Sequence, residues 1–109
     1  MISAVRETVT REAAPEVANL DLATVLHALS DPIRLRIVGE LADGSERCCG
    51  AIELPITKST CSHHFRVLRE AGVIRTRVEG KNRLNGLRRE ALEEHFPGLL
   101  DAILNARGA

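Results

Sequence analysis

Two groups of side chains in this sequence could do chemistry: three cysteines, and a basic and hydroxyl-rich cluster that follows them. Cys48 and Cys49 are adjacent, and Cys61 lies twelve residues after Cys49. Thiolates bind soft metal ions and react with oxidants. The three cysteines are therefore candidates for a soft-metal site or for a thiol switch. In such a switch Cys48 or Cys49 oxidises, or pairs with Cys61 or with its symmetry mate in a second chain. Adjacent helical side chains point about 100° apart, which is poor geometry for holding one ion, and packing in the core is the alternative role.

The cationic residues are concentrated between positions 58 and 89. The 109-residue chain contains 15 Lys and Arg and 15 Asp and Glu, so its net charge is zero. Residues 58–89 nevertheless hold nine Lys and Arg against two Glu, a net charge of +7, whereas residues 1–57 carry −4 and residues 90–109 carry −3. A basic block between acidic flanks is typical of a surface that binds a polyanion. A solvated charged surface is the alternative explanation.

The composition narrows the class of partner. The chain has no Trp, no Tyr and two Phe, whereas proteins that bind single strands or RNA stack bases on exposed aromatic side chains. Apolar runs stay well short of the ~20 residues that a membrane span needs, and the N-terminal sequence lacks the apolar centre of a signal peptide. We therefore expect a cytoplasmic protein that does not bind membranes.

The sequence also argues against an enzyme. It contains neither a Gly-rich phosphate loop nor a nucleophile-elbow motif. The enzyme alternative is a cysteine hydrolase that uses Cys61 and a histidine. Because Cys61 falls on the apolar stripe of a predicted helix, it would lie in the core and not at a cleft, so we expect no enzymatic activity.

Hydrophobic spacing predicts the helices that position these residues. Apolar side chains recur at helical spacing over residues 16–29, and Asp31 and Pro32 are a typical N-cap and first residue of a second helix. A short third helix is predicted over residues 49–54, ended by Pro55. Thr57 is placed to cap a fourth helix that runs to residue 71, and Gly72 is its expected terminator.

After Gly72 the apolar period changes to two, which predicts a β-hairpin with strands over residues 73–78 and 82–87. The last helix begins near residue 88 and breaks near Pro97 and Gly98. The expected fold class is mainly α with a small β-hairpin: a winged helix-turn-helix with four helices, a two-stranded wing and a C-terminal helix. Residues 1–14 are assigned to an N-terminal tail or loose helix, and residues 15–106 to the DNA-binding and dimerisation domain.

The polar side of the fourth helix and the hairpin suit double-stranded DNA. A helix that enters the major groove needs an apolar side for packing and a thin cationic side for phosphates and base edges. His64 is expected to point inward and bond to backbone, whereas His63 faces DNA. A winged-helix module for protein–protein contact is the alternative, but it has no need for this charge. The predicted DNA-binding residues are Lys58, Ser59, Thr60, Ser62, His63, Arg66, Arg77, Lys81 and Arg83.

Two stretches carry a family resemblance: LSDPIR at residues 29–34 and STCSHHFRVLREAGVI at residues 59–74. Together they resemble the ArsR/SmtB family of bacterial winged-helix repressors, over residues 20–105. The resemblance implies a homodimer that reads an inverted-repeat operator and is released when an effector binds or a thiol oxidises. The family's Cys-x-Cys metal motif is half present, with Cys48 at its second cysteine and Glu46 at its first. The possibilities left open are therefore a soft metal ion, a thiol oxidant, another ligand or no small effector at all.

The apolar faces of the first and last helices also favour a dimer. The last helix is more apolar than a small monomer easily covers, and a two-fold pair would present two basic faces to successive major grooves. Packing within one subunit is the alternative. The predicted interface residues are Val17, Leu20, Leu26, Phe96, Leu99, Leu100 and Ile103.

Overall fold

The structure is a computed structural model that describes residues 9–11 and 19–108. It has the winged helix-turn-helix architecture expected from the sequence. Five helices surround one core, and the wing projects from it as an antiparallel sheet. In chain order the elements are β1 (Val9–Arg11), α1 (Leu22–Ala28), α2 (Pro32–Glu40), a 3₁₀ turn (Cys49–Ala51), α3 (Lys58–Glu70), β2 (Ile74–Glu79), β3 (Asn82–Leu87), α4 (Arg89–His95) and α5 (Leu99–Gly108).

Two aspartates set the starts of the first two helices. Asp21 accepts a hydrogen bond from the Thr24 N–H at 2.9 Å, so α1 begins at Leu22. Asp31 accepts from the N–H groups of Ile33 and Arg34 at 2.8 and 3.1 Å, and Pro32 occupies the first position of α2. The predicted cap of the second helix is thus confirmed. Since these bonds satisfy backbone donors that a helix leaves unpaired, they define where each helix starts.

The predicted third helix is wrong in type and in length. Only residues 49–51 are helical, as a 3₁₀ turn, and residues 52–57 form an irregular connection to α3. Pro55 accounts for this difference, because proline disfavours the α conformation in the residue before it. Only residues 49–53 then remain, and five residues are too few for a stable α-helix.

The N-terminal segment also differs from the expected tail or loose helix. Val9–Arg11 forms strand β1, which pairs antiparallel with β2 in the register Val9 to Glu79 and Arg11 to Arg77. The wing is therefore a three-stranded sheet in the order β1-β2-β3. The free edge of β2 offers unpaired N–H and C=O groups, and the β-branched residues Val9 and Thr10 suit an extended partner. The domain boundary at residue 15 stays a prediction, because residues 12–18 lie outside the described ranges.

The core holds α3 against the body of the domain. Ile37 of α2, Leu41 directly after α2, Leu68 of α3, Ile74 of β2 and Leu92 of α4 are fully buried. The predicted position of Cys61 on an apolar helix stripe is confirmed, since Cys61, Phe65 and Leu68 are the buried residues of α3. This packing leaves the opposite side of α3 exposed.

A glycine ends α3, as predicted, and a second glycine closes the wing. Gly72 has φ +87° directly after the last turn of α3, a conformation that favours glycine. Gly80 has φ +62° and forms, with Lys81, the two-residue turn between the paired residues Glu79 and Asn82. The predicted break in the C-terminal helix is also confirmed, because α4 ends at His95 and α5 begins at Leu99.

Candidate nucleic-acid interface

The outer side of α3 is a continuous polar surface. Six of the nine predicted DNA-binding residues lie on this helix, and all six are exposed: Lys58, Ser59, Thr60, Ser62, His63 and Arg66. They occupy the first three turns, and the first turn is held by its cap. Thr57 accepts from the Thr60 N–H at 3.3 Å and donates its hydroxyl hydrogen to the Thr60 hydroxyl oxygen at 2.9 Å. This cap presents the N-terminal end of α3, which is the end expected nearest the bases.

The wing meets α3 at a small basic crevice. A cleft of about 80 Å³ lies between the two elements, with Ser62 and Arg69 of α3 on one side and Arg83 and Asn85 of β3 on the other. Lys81 is exposed at the wing tip. The fold therefore brings Arg83, a predicted wing cation, next to Ser62 and Arg69 of α3. Arg69 was left out of the predicted set, although its spacing of seven residues from Ser62 indicates the same side of the helix.

Arg77 does not belong to this surface as predicted. Its Nη2 and Nε lie 2.8 and 3.0 Å from Glu46 Oε1, and its Nη1 lies 3.5 Å from Glu79 Oε2. The Glu46 hydrogen bond is the main reason that the pKa of Arg77 is raised. Arg75 also faces Glu46, with its Nη2 3.6 Å from Glu46 Oε2. A guanidinium engaged by two carboxylates has little charge to offer a phosphate, so we remove Arg77 from the candidate DNA surface.

These ion pairs redistribute the charge of the basic block. Glu46 neutralises part of the wing face, and Asp101 of α5 lies 3.3 Å from Arg89 Nη1. Within residues 9–11 and 19–108, four cations of the block form no salt bridge: Lys58, Arg66, Arg69 and Lys81. All four lie on α3 or at the wing tip. The salt-bridge-free cations of the basic block thus lie on the proposed DNA side.

A buried arginine joins α3 to α2 and was missed by sequence reasoning. Arg34 is 8% exposed, and its Nε donates to the Ala28 carbonyl at 2.6 Å. Its Nη1 donates to His64 Nδ1 of α3 at 3.0 Å. Because arginine can only donate, Nδ1 must accept and His64 is neutral with its proton on Nε2. Burial is the main reason that the pKa of His64 is lowered, although nearby Asp31 opposes this shift.

His64 therefore points inward as predicted, but its partner is a side chain and not backbone. Sequence spacing could not show this contact because thirty residues separate Arg34 from His64. The contact fixes α3 on α2 and leaves neighbouring His63 exposed.

Two of the three cysteines lie side by side. Cys49 Sγ of the 3₁₀ turn is 2.6 Å from Cys61 Sγ of α3, and all three thiols are free. Burial, and then the neighbouring Cys49, raise the pKa of Cys61 to about 12. Among the residues that the structure describes, no group of three or more His, Cys, Asp or Glu is placed to hold a metal ion.

The predicted dimer surface is only partly exposed. Leu26 of α1 is exposed, and so is Leu22, which the prediction omitted. Leu20, Phe96, Leu99 and Ile103 are half-buried against the core. Leu100 is 3% exposed, so its assignment to the interface is corrected to the core of the protomer. Val17 lies outside the described residues.

Comparison with known proteins supports the assignment of a DNA-binding surface. A helix-turn-helix domain family model matches residues 29–77, which include α2, α3 and the start of the wing. The HTH-type transcriptional regulator YceK of Bacillus subtilis is 37% identical over 84 residues, covering 74% of this chain and 84% of YceK. The arsenical resistance operon repressor of Staphylococcus xylosus is 34% identical over 74 residues, covering 67% of this chain and 71% of the repressor.

The crystal structure of the transcriptional repressor BigR from Xylella fastidiosa superimposes with a TM-score of 0.61 at 32% identity, covering 78% of this chain and 84% of BigR. The chain belongs to the ArsR/SmtB family of helix-turn-helix transcriptional regulators. This ArsR/SmtB-family protein is accordingly a DNA-binding regulator of transcription, and α3 lies within the matched helix-turn-helix segment. Its matched relatives are regulators. In the described part of this ArsR/SmtB-family chain, no helix has both the length and the apolar character needed to cross a bilayer.

Proposed function

We propose that this ArsR/SmtB-family protein represses transcription as a homodimer bound to an inverted-repeat operator, and that a small effector or a thiol modification releases it. The observation that carries the proposal is the exposed polar side of α3 beside the wing. Its salt-bridge-free cations lie on the side of α3 opposite the buried stripe. The proposed contacts are made by Lys58, Ser59, Thr60, Ser62, His63, Arg66, Arg69, Lys81 and Arg83.

The roles of these residues follow from their positions. Ser59, Ser62 and His63 lie on the first two turns of α3, where short polar side chains reach base edges in a major groove. Lys58, Arg66 and Arg69 flank them and are placed to contact phosphates. Lys81 and Arg83 on the wing are placed to contact the backbone beside the adjacent minor groove. Arg77 has no role in this proposal because Glu46 occupies it.

A homodimer is supported by the apolar residues that the protomer leaves uncovered. Leu22 and Leu26 on α1 are 46% and 43% exposed, and α5 adds half-buried Leu99 and Ile103. A two-fold axis through this face would bury the leucines and place two recognition helices on one side of the dimer. An inverted-repeat operator mirrors that symmetry, with half-sites about one helical turn apart.

A role as a repressor also bears on the protein's location in the cell and on whether it is an enzyme. Chromosomal DNA in a bacterium lies in the cytoplasm, so we propose a cytoplasmic protein. We propose no catalytic activity, because Cys61, the suggested nucleophile of a hydrolase, is buried in the core with a raised pKa.

The proposal is tested with duplex DNA from the promoter of the protein's own gene. The reduced protein should shift this duplex, and its affinity should fall steeply with salt because phosphate contacts release counterions. Arg66→Glu should abolish the shift while the circular dichroism spectrum is unchanged, since Arg66 is exposed. A salt-independent complex, or full affinity in Arg66→Glu, would refute the assigned surface.

The effector is sought in the same assay. Zn, Cd, Ni, Cu, As(III), peroxide and persulfide are added singly, with and without reductant, and loss of the shifted band identifies the releasing agent. Analytical ultracentrifugation of the reduced protein tests the dimer, and a monomer at the concentration that shifts DNA would contradict it.

A further inference from the structure

The paired thiols of Cys49 and Cys61 connect the recognition helix to the turn that precedes it. Cys49 lies in the 3₁₀ turn, Cys61 lies in the first turn of α3, and their sulfur atoms are 2.6 Å apart. A disulfide bond has a length of about 2.05 Å. The two sulfurs therefore need to approach by only about half an ångström to bond. Cys48, the third thiol, has no such contact with Cys61 among the described residues.

The thiol pair is open to small molecules through an apolar pocket. This pocket has a volume of about 260 Å³ and is lined by both cysteines, by Ile52, Leu54 and Ile56, and by Lys58 at the start of α3. Cys49 is half-buried and Cys61 is 7% exposed, so a reagent that enters the pocket meets Cys49 more readily. Cys61, whose sulfur is 2.6 Å from that of Cys49, is the second thiol.

From this arrangement we propose that Cys49 and Cys61 form a reversible disulfide when a hydroperoxide enters the pocket, and that the disulfide weakens DNA binding. The inference rests on the proposed function, because it assigns the thiol modification that regulates the DNA surface. It also assigns the two residues that react and excludes Cys48 as a participant.

The chemistry balances in two steps. The Cys49 thiolate attacks the terminal oxygen of the hydroperoxide ROOH, the O–O bond breaks, and ROH leaves with one proton, so Cys49 becomes a sulfenic acid. Cys61 sulfur then attacks the Cys49 sulfur and the S–O bond breaks. The Cys61 proton leaves with the hydroxide as water. In total, two thiols and ROOH give one disulfide, ROH and H₂O, and a dithiol reductant reverses the change.

The direction of the effect follows from where the sulfurs lie. Cys61 is on the buried side of α3, so the new bond draws the first turn of α3 towards the 3₁₀ turn and the body of the domain. The first two turns of α3 carry Lys58, Ser59 and Ser62, which are proposed to face DNA. Withdrawal of these residues should lower affinity by about fivefold or more, the usual range for coupling between two sites.

The disulfide itself is tested on the reduced, full-length protein, oxidised with cumene hydroperoxide and digested with trypsin without reductant. Cleavage after Arg47, Lys58 and Arg66 gives peptides 48–58 and 59–66, so the proposed bond joins these two peptides with the loss of two hydrogens. The link should persist in Cys48→Ser and be absent in Cys49→Ser and Cys61→Ala. A Cys48–Cys49 bond, a link between two chains, or no link would overturn the proposal.

The effect on DNA is measured separately with the oxidised protein. Its affinity for the promoter duplex should fall by about fivefold or more and should recover with dithiothreitol. In Cys49→Ser the oxidant should leave the affinity unchanged. Unchanged affinity of fully linked protein would overturn the regulatory part of the proposal. Failure of the reduced protein to bind DNA would instead refute the proposed function, and the peptide link would still report on the thiol chemistry.

Discussion

Removal of Arg66 should change the salt dependence of DNA binding by a calculable amount. Arg66 is exposed on the outer side of α3 and, in the described ranges, makes no salt bridge. Each phosphate contact contributes about 0.9 to the slope of log K against log salt. A homodimer carries two copies of Arg66, so Arg66→Ala should make the slope less steep by about 1.8. At ~0.1 M salt, the loss of one phosphate contact lowers the affinity roughly eightfold.

The measurement is fluorescence anisotropy with a labelled promoter duplex at salt concentrations between about 50 and 200 mM. Arg89→Ala is the matched control, because it removes a cation of the same basic block that is paired with Asp101 on another surface. Its slope should equal that of the unmodified protein. Equal changes in the two variants would show that net charge, and not the surface of α3, governs binding. An unchanged slope in Arg66→Ala would refute the phosphate contact.

Three further predictions concern the supports of the recognition helix. Asp31→Ala removes two hydrogen bonds to the start of α2 and should lower the free energy of unfolding in urea by about 0.5–2 kcal/mol; no loss would contradict the cap. The pKa of His64 is lowered in the folded state, so its contribution to stability is complete above pH ~6.5 and is lost as pH falls through the lowered pKa. His64→Asn keeps an acceptor for Arg34 but does not titrate, so the melting temperature of this variant should depend less on pH between pH 5 and 7. If the variant and the unmodified protein show the same pH dependence, His64 is not its cause. A disulfide between Cys49 and Cys61 closes a short loop and should stabilise the protein by about 3 kcal/mol. This raises the melting temperature by roughly 10 °C or more. Equal melting temperatures of the reduced and oxidised forms would show that the bond does not form.

The helices of the DNA-binding core were predictable because their signals are local. Asp31 with Pro32, Thr57 and Gly72 mark helix ends by bonds or dihedral angles that involve residues at most a few positions away. The apolar stripe of Cys61, Phe65 and Leu68 needs only helical periodicity. The same periodicity placed Lys58, Ser62 and Arg66 on the opposite side of α3. These residues form most of the candidate site, and their exposure agrees with the prediction.

The errors arose where a partner is distant in sequence or where a short segment has weak preferences. Residues 49–54 showed helical character, but Pro55 reduced the helix to a 3₁₀ turn. Val9–Arg11 gained its strand only from the free edge of β2, nearly seventy residues away. Leu100 looked like an interface residue because a helix pattern shows which side is apolar and not what covers that side.

The sequence by itself determined the class of fold, the position of helix α3 and the cationic character of its outer side, because periodicity, capping and charge depend on neighbouring residues. Only the tertiary structure decided which cations remain available, since Glu46 reaches Arg77 across thirty-one residues. It also decided that Arg34 seats His64 and that Cys49 meets Cys61. Such contacts depend on how helices and strands pack in space. The number of residues between two side chains does not show whether the folded chain brings them together.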